Sequence, residues 1–590
     1  MRAAESTAAP RDAGASTGRW EIPSREKWLG GILLGLAVIL RCFYIFHFRY
    51  DSDEPQHLHT TWGWTQGLLQ YRDFFDNHTP LFHVLFSPLV AVLGERTNIL
   101  DFMRFAMVPL WFVALWSVWK IGGAVFSRRV GLWAAVLISI FPWWSFCALE
   151  YRTDNLWTPL WLAAVATLAC GRFSRGRALA GGLLLGLCFT VSMKTTLLCV
   201  MLGLAAALTP FLVARRLDLA LPGRTLAAVW PVLAGMIIAP AALAAYFAAR
   251  GAWGPFIYGT IQHNIEAGVD AKNHPFYLRL ALPVTFPFLL MAAAWIARRA
   301  PDAAAATRRA GLFLVATFYY AGLYTFWTLL TRQDYLPVYP LLGVLLAAAL
   351  VGLAERFATA RAVWILGITS VVELACTLGG RPPFKVHVDN SGTGLSKFTI
   401  EWQDGTQRER EILGEVLRLT RPGEFVMDFK GECVFRQRAY FYVLEPLTFV
   451  KVRRGKLPDN VEECLLKTKT CVVLNQDRWY PKRSVDFMAK NYLAVGRMRV
   501  AGKMIAERAV ANEAIRFEVK VPASYVVWAD GKTVGGTLDG QPADGPIELA
   551  AGAHGFIPAE GHGRTSIFWA RAAAEGFEPL PDQPAWQDFR

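Results

Sequence analysis

Long apolar segments recur along the chain and constrain its fold more than any other feature. Eleven of them are about 20 residues long and carry few charges, and a helix of that length, at about 1.5 Å per residue, spans a bilayer core of about 30 Å. They lie near residues 28–47, 102–123, 128–147, 155–172, 178–193, 196–214, 226–249, 278–297, 309–330, 334–354 and 361–379. A further apolar stretch, about 80–93, contains Pro88 and would reach only about 20 Å, which predicts a short helix at the membrane surface.

The composition also indicates a membrane protein. Of the 590 residues, 54% are hydrophobic and 18% are charged, against about a quarter charged in soluble domains. The net charge of +14 would suggest nucleic-acid binding in a soluble protein. Here the basic residues lie mostly in short loops between apolar segments, a pattern that sets membrane orientation, so no nucleic-acid partner is expected.

The charges of the loops predict the topology. With the N-terminus in the cytoplasm, alternate loops are basic and the remaining loops are acidic, as the positive-inside rule requires. The basic loops include Arg128 and Arg129, Arg175 and Arg177, Arg215 and Arg216, Arg298 and Arg299, and Arg356 and Arg361. The acidic loops include the first loop, Glu150 and Asp154, Glu266 and Asp270, and Asp334. Counting 80–93 as a span would reverse every later loop, so the sequence predicts about eleven spans and an external C-terminal region.

The predicted organisation has four parts. Residues 1–27 read as a disordered cytoplasmic leader, and 28–380 as the transmembrane domain, with its first external loop at 48–101. Residues 381–510 mix amphipathic helix and short β runs, which predicts an α/β domain. Residues 511–590 form a small β-rich unit, with Asp530-Gly531 and Asp539-Gly540 as hairpin turn signals.

The first external loop carries the densest group of chemically active residues. Asp51, Asp53 and Glu54 follow directly on the first apolar segment, where ionisable groups are costly unless partners or a function hold them. Gly67 and the run Tyr71-Arg72-Asp73 come next, and then His78-Thr79-Pro80-Leu81 opens the short apolar stretch. From charge alone, a solvated loop is an equal alternative.

This loop resembles that of GT-C glycosyltransferases that use a polyprenyl-phosphate sugar donor, such as protein O-mannosyltransferases and lipid A aminoarabinose transferases. The matching residues are Asp53-Glu54, Gly67, Tyr71-Arg72-Asp73 and His78-Thr79-Pro80-Leu81, and the resemblance extends over roughly residues 25–380. It implies a catalytic carboxylate in the Asp-Glu pair. We therefore expect Asp53 to be the general base and Glu54 to help position it. Asp51 remains a competitor for that role.

The resemblance also implies roles for other residues of this loop. Tyr71, Arg72, Asp73 and His78 would lie along the membrane surface beneath the donor, and His78 could reach a phosphate oxygen. The alternatives are a His78 that is satisfied at the start of a helix, and an Arg72 that is a surface cation paired with Asp73 or Asp76.

Three further loops carry candidate residues on the predicted external side. Glu150 and Asp154 are one helical turn apart and could share a face near the substrate, or form a structural salt link with Arg152. Lys194 could snorkel to the interface, but the resemblance implies a contact with the donor phosphate.

The last of these loops contains Arg332 and Tyr335, in a pattern similar to the family's basic-x-x-Tyr-x-x-Pro signature. Arg332 is then expected to bind the lipid phosphate with two guanidinium N–H groups, the alternative being a snorkelling arginine.

The sequence thus predicts a hexosyl- or pentosyltransferase of the bacterial inner membrane, with an external (periplasmic) C-terminal region. It would move a sugar by an inverting mechanism from a polyprenyl phosphate to a lipid, glycan or protein acceptor. No cofactor is expected, although the Asp51-x-Asp53 spacing leaves a divalent metal as an alternative. The sequence has no Walker loop, which disfavours an ATP-driven pump. The rival function is that of a membrane lipid or glycan transporter or flippase.

Overall fold

The computed structural model describes residues 22–171, 174–214, 221–265, 276–327, 330–356, 359–379, 384–389, 397–402, 404–475 and 480–581. Most of the predicted leader therefore lies outside the described residues, and the first helix begins at Ser24. The predicted loop charges of Arg215, Arg216, Glu266 and Asp270 also lie outside them.

The described chain up to residue 379 is mainly helical. Its α-helices are α1 (Ser24–His47), α2 (Asp53–Thr65), α3 (Leu81–Leu93), α4 (Ile99–Phe105), α5 (Val108–Val125), α6 (Arg128–Ile140), α7 (Pro142–Cys147), α8 (Asp154–Ala169), α9 (Arg175–Val191), α10 (Thr195–Ala214), α11 (Leu221–Ala249), α12 (Trp253–Ile257), α13 (Ala281–Arg298), α14 (Ala303–Phe326), α15 (Tyr339–Ala354) and α16 (Thr359–Gly379). A π-helical turn spans Tyr258–Gln262, and 3₁₀ turns span Phe276–Leu280 and Arg332–Tyr335.

The predicted apolar segments are mainly helical over the residues that the structure describes. Three of them are interrupted: one between α4 and α5, one at Phe141, where Pro142 starts α7, and one at residues 336–338, between a 3₁₀ turn and α15. The stretch at 80–93 forms α3, a helix of 13 residues with Pro88 inside it. Five helical segments of the described chain are long and apolar enough to cross a membrane. They are Ser24–His47, Ile99–Val125, Thr195–Ala214, Val229–Ala249 and Tyr277–Arg298. The chain is thus a multi-pass membrane protein, and the number of eleven spans stays a prediction.

Glycines allow two of these helices to pack backbone to backbone. A Cβ on Gly186 of α9 would lie 2.6 Å from the carbonyl oxygen of Met236 on α11. Gly235 of α11 faces α9 in the same way, since its Cβ would lie 2.8 Å from the amide nitrogen of Leu183. Small residues at such contacts are typical of helix pairs in membranes, where close van der Waals packing replaces the hydrophobic effect.

One end of the helical bundle is fixed by a buried ion pair. Glu26, in the first turn of α1, is fully buried and accepts hydrogen bonds from Arg129 at 2.6 Å and from Trp133 Nε1 at 2.9 Å. Both partners lie on α6. Because α1 runs away from this end, its last residue and the acidic loop that follows lie at the opposite end of the bundle.

The C-terminal region combines helices and sheets. Its strands are β1 (Phe384–Asp389), β2 (Lys397–Trp402), β3 (Phe425–Met427), β4 (Gln437–Arg438), β5 (Val472–Leu474), β6 (Tyr492–Val495), β7 (Met498–Ala506), β8 (Ile515–Val519), β9 (Ala523–Ala529), β10 (Lys532–Thr533), β11 (Gly536–Leu538), β12 (Gln541–Pro542), β13 (Ile547–Leu549), β14 (Gly552–Pro558) and β15 (Thr565–Trp569). Its helices are α17 (Gln407–Leu419), α18 (Pro446–Arg453), α19 (Val461–Lys467), α20 (Lys482–Asn491) and α21 (Ala570–Ala574).

Nine of these strands form one mixed sheet in the order β10-β9-β15-β7-β5-β3-β4, with β13 beside β9 and β6 beside β7. Strands β12-β11-β14-β8 form a second sheet, and β1 pairs with β2. The predicted α/β and β units share the large sheet, because β15 pairs with β7 across the boundary placed at residue 510.

Both predicted hairpin turns are present. Asp530 and Gly531 join β9 to β10, and Asp539 and Gly540 join β11 to β12. All four residues have positive φ, between 51° and 79°, as a two-residue turn of the mirror-image type requires.

Candidate active site

The acidic cluster lies where α1 ends and α2 begins. Asp53 and Glu54 are the first two residues of α2, a position at which the helix dipole favours negative charge. Glu54 is fully buried and forms a two-point ion pair with Arg104, whose Nε lies 2.7 Å from Oε2. The carboxylate also accepts the backbone N–H groups of Asp51 at 2.7 Å and Tyr151 at 2.8 Å. These contacts give Glu54 the role of a fixed support for the loop.

Arg104 fixes the same loop from the other side. Its guanidinium donates to the carbonyl oxygens of Phe48 at 2.7 Å and Arg49 at 2.8 Å, in addition to Glu54. Because Arg104 lies on α4, one buried cation joins α4 to α2 and to the segment that follows α1. The backbone that presents Asp51 and Asp53 is therefore held on both sides.

Arg152 joins Asp51 and Asp53 in a single clamp. Its Nη1 lies 2.5 Å from Oδ1 of Asp51 and 2.8 Å from Oδ2 of Asp53, while its Nε lies 3.5 Å from Asp154. The Arg152 side chain is only 6% exposed, whereas those of Asp51 and Asp53 are 17% and 23% exposed. Two partly accessible carboxylates are thus bound to one buried guanidinium.

The electrostatics differ sharply between the carboxylates of this site. Burial raises the pKa of Asp53, but the positive charges of Arg152 and Lys430 more than offset it, so the pKa lies well below its ordinary value. For Glu150, burial and the negative charge of Asp51 raise the pKa well above its ordinary value. Glu150 accepts a hydrogen bond from Gln333 at 2.7 Å. The surroundings therefore favour the ionised form of Asp53 and the protonated form of Glu150.

Lys194 lies between two further carboxylates. Its ammonium is 3.1 Å from Asp154 and 2.7 Å from Asp334, and 5.9 Å from the centre of the Trp157 ring. Burial lowers the pKa of Lys194, but the two carboxylates raise it above its ordinary value. A lysine in this position keeps its positive charge and has 22% of its side chain exposed.

Arg332 and Tyr335 lie in the same loop as Gln333 and Asp334 but border a different space. Arg332 is exposed, and its guanidinium lies 4.7 Å from the centre of the Trp143 ring. Tyr335 stacks on Tyr339 with ring centres 5.6 Å apart. Together with Tyr324, these side chains line an open cavity of about 280 Å³. The cavity is thus adjacent to the cluster, because the two residues between Arg332 and Tyr335 contact Glu150 and Lys194.

The Tyr71–Asp73 segment lies apart from the cluster. Tyr71 is buried, has a φ of 71° and donates its hydroxyl to the carbonyl oxygen of His78 at 2.5 Å. Arg72 and Asp73 pair with each other at 2.8 Å on the surface, as one of the alternatives for Arg72 expects. Asp73 also accepts the N–H of Leu69 at 2.8 Å, so this segment shapes the loop.

His78 connects to the cluster through a group of polar side chains. Its Nδ1 lies 3.2 Å from the buried Asp76, and its ring centre lies 4.6 Å from that of His57 on α2. His57 Nδ1 in turn lies 3.0 Å from His83 Nε2. With 25% of its side chain exposed, His78 is the accessible end of this group.

The structure brings six of the candidate residues into one network of contacts: Asp51, Asp53, Glu54, Glu150, Asp154 and Lys194. Arg104, Asp334 and Lys430 also belong to this network, although the sequence did not mark them as site residues. Arg104 lies on an apolar helix and Lys430 in the C-terminal region, so neither has a local pattern that marks it. Asp334 could have been suggested by its place on an acidic loop. In the described part of the chain, no three His, Cys, Asp or Glu side chains are grouped as metal ligands.

A helical membrane domain with clustered carboxylates and cations at one end is thus joined to a sheet-containing C-terminal region. The chain has the fold of ArnT, the lipid A aminoarabinose transferase, from Cupriavidus metallidurans. With the structure of that protein bound to undecaprenyl phosphate, the TM-score is 0.52 at 14% identity, over 81% of this chain and 98% of ArnT. With apo ArnT it is 0.51 at 14% identity and the same coverage.

An oligosaccharyltransferase from Archaeoglobus fulgidus in the apo form matches at a TM-score of 0.45 and 12% identity, over 79% of this chain and 71% of that protein. At the level of sequence, no family model matches the chain, and a search of curated proteins finds no match.

Proposed function

We propose that this protein transfers a sugar from a polyprenyl-phosphate donor to a hydroxyl group of an acceptor, at the periplasmic face of a bacterial inner membrane. The observation that carries the proposal is the pair of partly accessible carboxylates, Asp51 and Asp53, clamped by buried Arg152 beside a charged Lys194. That ArnT of the same fold is bound to undecaprenyl phosphate supports the class of donor.

In this proposal Asp53 acts as the general base. Its carboxylate takes the proton of the acceptor hydroxyl while the oxygen attacks the anomeric carbon from the face opposite the phosphate. The bond between the anomeric carbon and the phosphate oxygen breaks, and its electron pair leaves with the polyprenyl phosphate. The new glycosidic bond therefore has inverted configuration. Asp51 shares the Arg152 clamp and remains the competing base.

The low pKa of Asp53 is consistent with a base that stays ionised until the transition state. A weak carboxylate base gains the proton only as the attacking hydroxyl becomes acidic, late in bond formation. The negative charge that develops on the leaving phosphate requires cations. We assign that role to Lys194 and Arg332, with His78 as a further donor, because each has an exposed portion near the cluster.

These side chains supply positive charge without a metal, so we expect transfer to persist in the presence of a chelator. The aromatic cavity beside Arg332 is a suitable place for part of the donor, since aromatic rings stack on sugar faces and contact prenyl chains. The sugar is a hexose or pentose, and the acceptor a lipid, a glycan or a protein.

The test is transfer by purified full-length protein in lipid vesicles, with synthetic polyprenyl-phosphate sugars as donors. We expect the wild type to release polyprenyl phosphate and to form a product of inverted configuration. Asp53→Asn should lower the rate by about 10²- to 10⁴-fold, the usual contribution of a general base. Asp486→Asn, the same change at an exposed position of α20, is the control that should keep the wild-type rate.

One result would change the residue assigned as the base, and another would overturn the proposed function. If Asp53→Asn keeps full activity and Asp51→Asn loses it, Asp51 is the base. If no donor releases polyprenyl phosphate while labelled lipid crosses the bilayer, the protein is a flippase.

A further inference from the structure

A lysine of the C-terminal region reaches the carboxylate that we assign as the base. Lys430 lies between β3 and β4, in the segment 428–436, and is 377 residues away from Asp53 in the sequence. Its ammonium forms an ion pair with Oδ1 of Asp53 and lies 3.4 Å from the Ser52 hydroxyl. The Lys430 side chain is 14% exposed, so its charge is largely removed from water.

The segment that carries Lys430 is folded tightly around Asp428. The Asp428 carboxylate accepts the backbone N–H groups of Gly431 at 2.9 Å and Cys433 at 2.8 Å. It also accepts a hydrogen bond from Arg438 Nε at 2.7 Å. Asp428 and Arg438 are both buried, so the turn that presents Lys430 is a rigid one.

This turn is docked on α2, the helix that begins with Asp53. His59 of α2 forms a hydrogen bond between its Nδ1 and the carbonyl oxygen of Val434, at 2.8 Å. Gly431 has a φ of +97°, and a Cβ there would lie 2.7 Å from Cβ of His59. Glycine is therefore required both by the backbone conformation and by the close approach to α2.

Two further ion pairs fix the C-terminal region around the cluster. Arg436 is buried and binds Glu95, which follows α3, at 2.7 Å. Arg410 of α17 binds Asp101 of α4 at 2.6 Å. One pair precedes Lys430 in the chain and the other follows it, so the turn that carries Lys430 belongs to a region anchored on the helical domain.

We propose that Lys430 is a positioning residue of the active site, which the C-terminal region supplies to orient Asp53 for proton abstraction. Arg152 binds one carboxylate oxygen of Asp53 and Lys430 binds the other, so the group is prevented from rotating. The complete site is then built from both parts of the chain.

A purely structural interdomain ion pair is the competing explanation. In that case Lys430 would anchor the C-terminal region, but it would not influence the protonation of Asp53 during transfer. The two explanations differ in the pH dependence of transfer, because the role proposed for Lys430 acts on Asp53 itself. In the described part of the chain, the charged and titratable groups that face Asp53 are Asp51, His57, Arg152 and Lys430, and Glu432 faces Lys430.

The contact can be tested without any activity assay. Acylation of individual lysines by an amine-reactive reagent is followed by mass spectrometry in the full-length protein. Only an unprotonated amine reacts, and Asp53 raises the pKa of Lys430 although burial lowers it. Asp53→Asn should therefore speed the labelling of Lys430 by about tenfold, the effect of one pKa unit. The exposed Lys532 of β10 is the internal reference and should label equally in both proteins.

The role in catalysis is tested by Lys430→Met and Lys430→Arg. Loss of a cation raises the pKa of Asp53, and because the ionised form is the base, the acid limb of kcat/KM should move to higher pH by about one unit. Lys430→Arg, which keeps the charge, should restore most of the wild-type profile. Arg436→Met breaks a different contact between the two regions, so it should lower the melting temperature without moving the acid limb.

This proposal rests on the proposed function, and the outcomes distinguish the failure of one from the failure of the other. A wild type without transferase activity would refute the proposed function, while the labelling contrast would still report on the contact between Lys430 and Asp53. An active wild type whose pH profile is unchanged by Lys430→Met would refute the positioning role and leave the proposed function intact. Equal labelling of Lys430 in wild type and Asp53→Asn would refute the contact itself.

Discussion

The change Glu54→Gln tests whether Glu54 is a support of the site through its ion pair with Arg104. Both side chains are fully buried, and Arg104 has two of its N–H groups on Glu54 and two more on backbone carbonyls. Removal of one partner leaves a buried, uncompensated charge, which costs about 3–5 kcal/mol. At about 1.4 kcal/mol for each factor of ten, the folding equilibrium should weaken by a factor of at least about 100.

The measurement is equilibrium unfolding in mixed micelles with increasing denaturing detergent, followed by tryptophan fluorescence. Arg104→Met should show a loss similar to that of Glu54→Gln. The double variant should be less destabilised than the sum of the two single variants, since it removes both charges together. Arg497→Met, which breaks a surface pair with Glu411, should change the unfolding free energy little and is the control.

Two results would refute this reasoning. A loss below about 1 kcal/mol for Glu54→Gln would mean that the ion pair is not a support of the fold. A variant of unchanged stability that has lost all transfer would instead make Glu54 a direct participant in catalysis.

Two further changes follow from the same contacts. Burial raises the pKa of Asp76, but His78 and Gln56 lower it to about 2. Because an unfolded Asp has a pKa of about 4, this stabilisation is present at neutral pH and is lost as the pH falls from about 4 through 2. Asp76→Asn should therefore lower the melting temperature most at neutral pH, and a constant difference at all pH values would contradict this. Arg332→Met should raise the KM for the donor about tenfold without changing the melting temperature, because Arg332 is exposed and donates charge-assisted hydrogen bonds in our proposal. Arg332→Lys should recover part of the affinity, and an unchanged KM in both variants would remove Arg332 from the donor site.

The interruptions in the predicted apolar segments show that a hydropathy pattern does not predict where a helix breaks. A run of apolar residues indicates a helix, but it does not indicate where that helix bends. Pro142 breaks the segment 128–147, since the residue before a proline is disfavoured in helical conformation. The break between α4 and α5 has a similar local signal, because Pro109 lies in the first turn of α5. This break places Arg104 at the level of the acidic cluster.

The sequence also predicted which loops form the site but not which side chains in them bind each other. The sequence indicated that Glu150, Asp154 and Lys194 belong with the acidic first loop, because alternate loops of a multi-span protein lie on one side. It left open whether Arg152 was part of the chemistry or a local salt link. The structure shows it as the common partner of Asp51 and Asp53, which are about 100 residues earlier in the chain.

The sequence by itself determined the helical membrane domain, the position of the acidic cluster beside the first span and the hairpins of the C-terminal region. Each depends on a local property, namely apolar length, charge next to a span or the φ preference of a turn residue. Only the tertiary structure decided the partners of those carboxylates. Arg104 lies 50 residues and Lys430 377 residues from the groups they bind, and no periodicity of a chain records contacts over such distances.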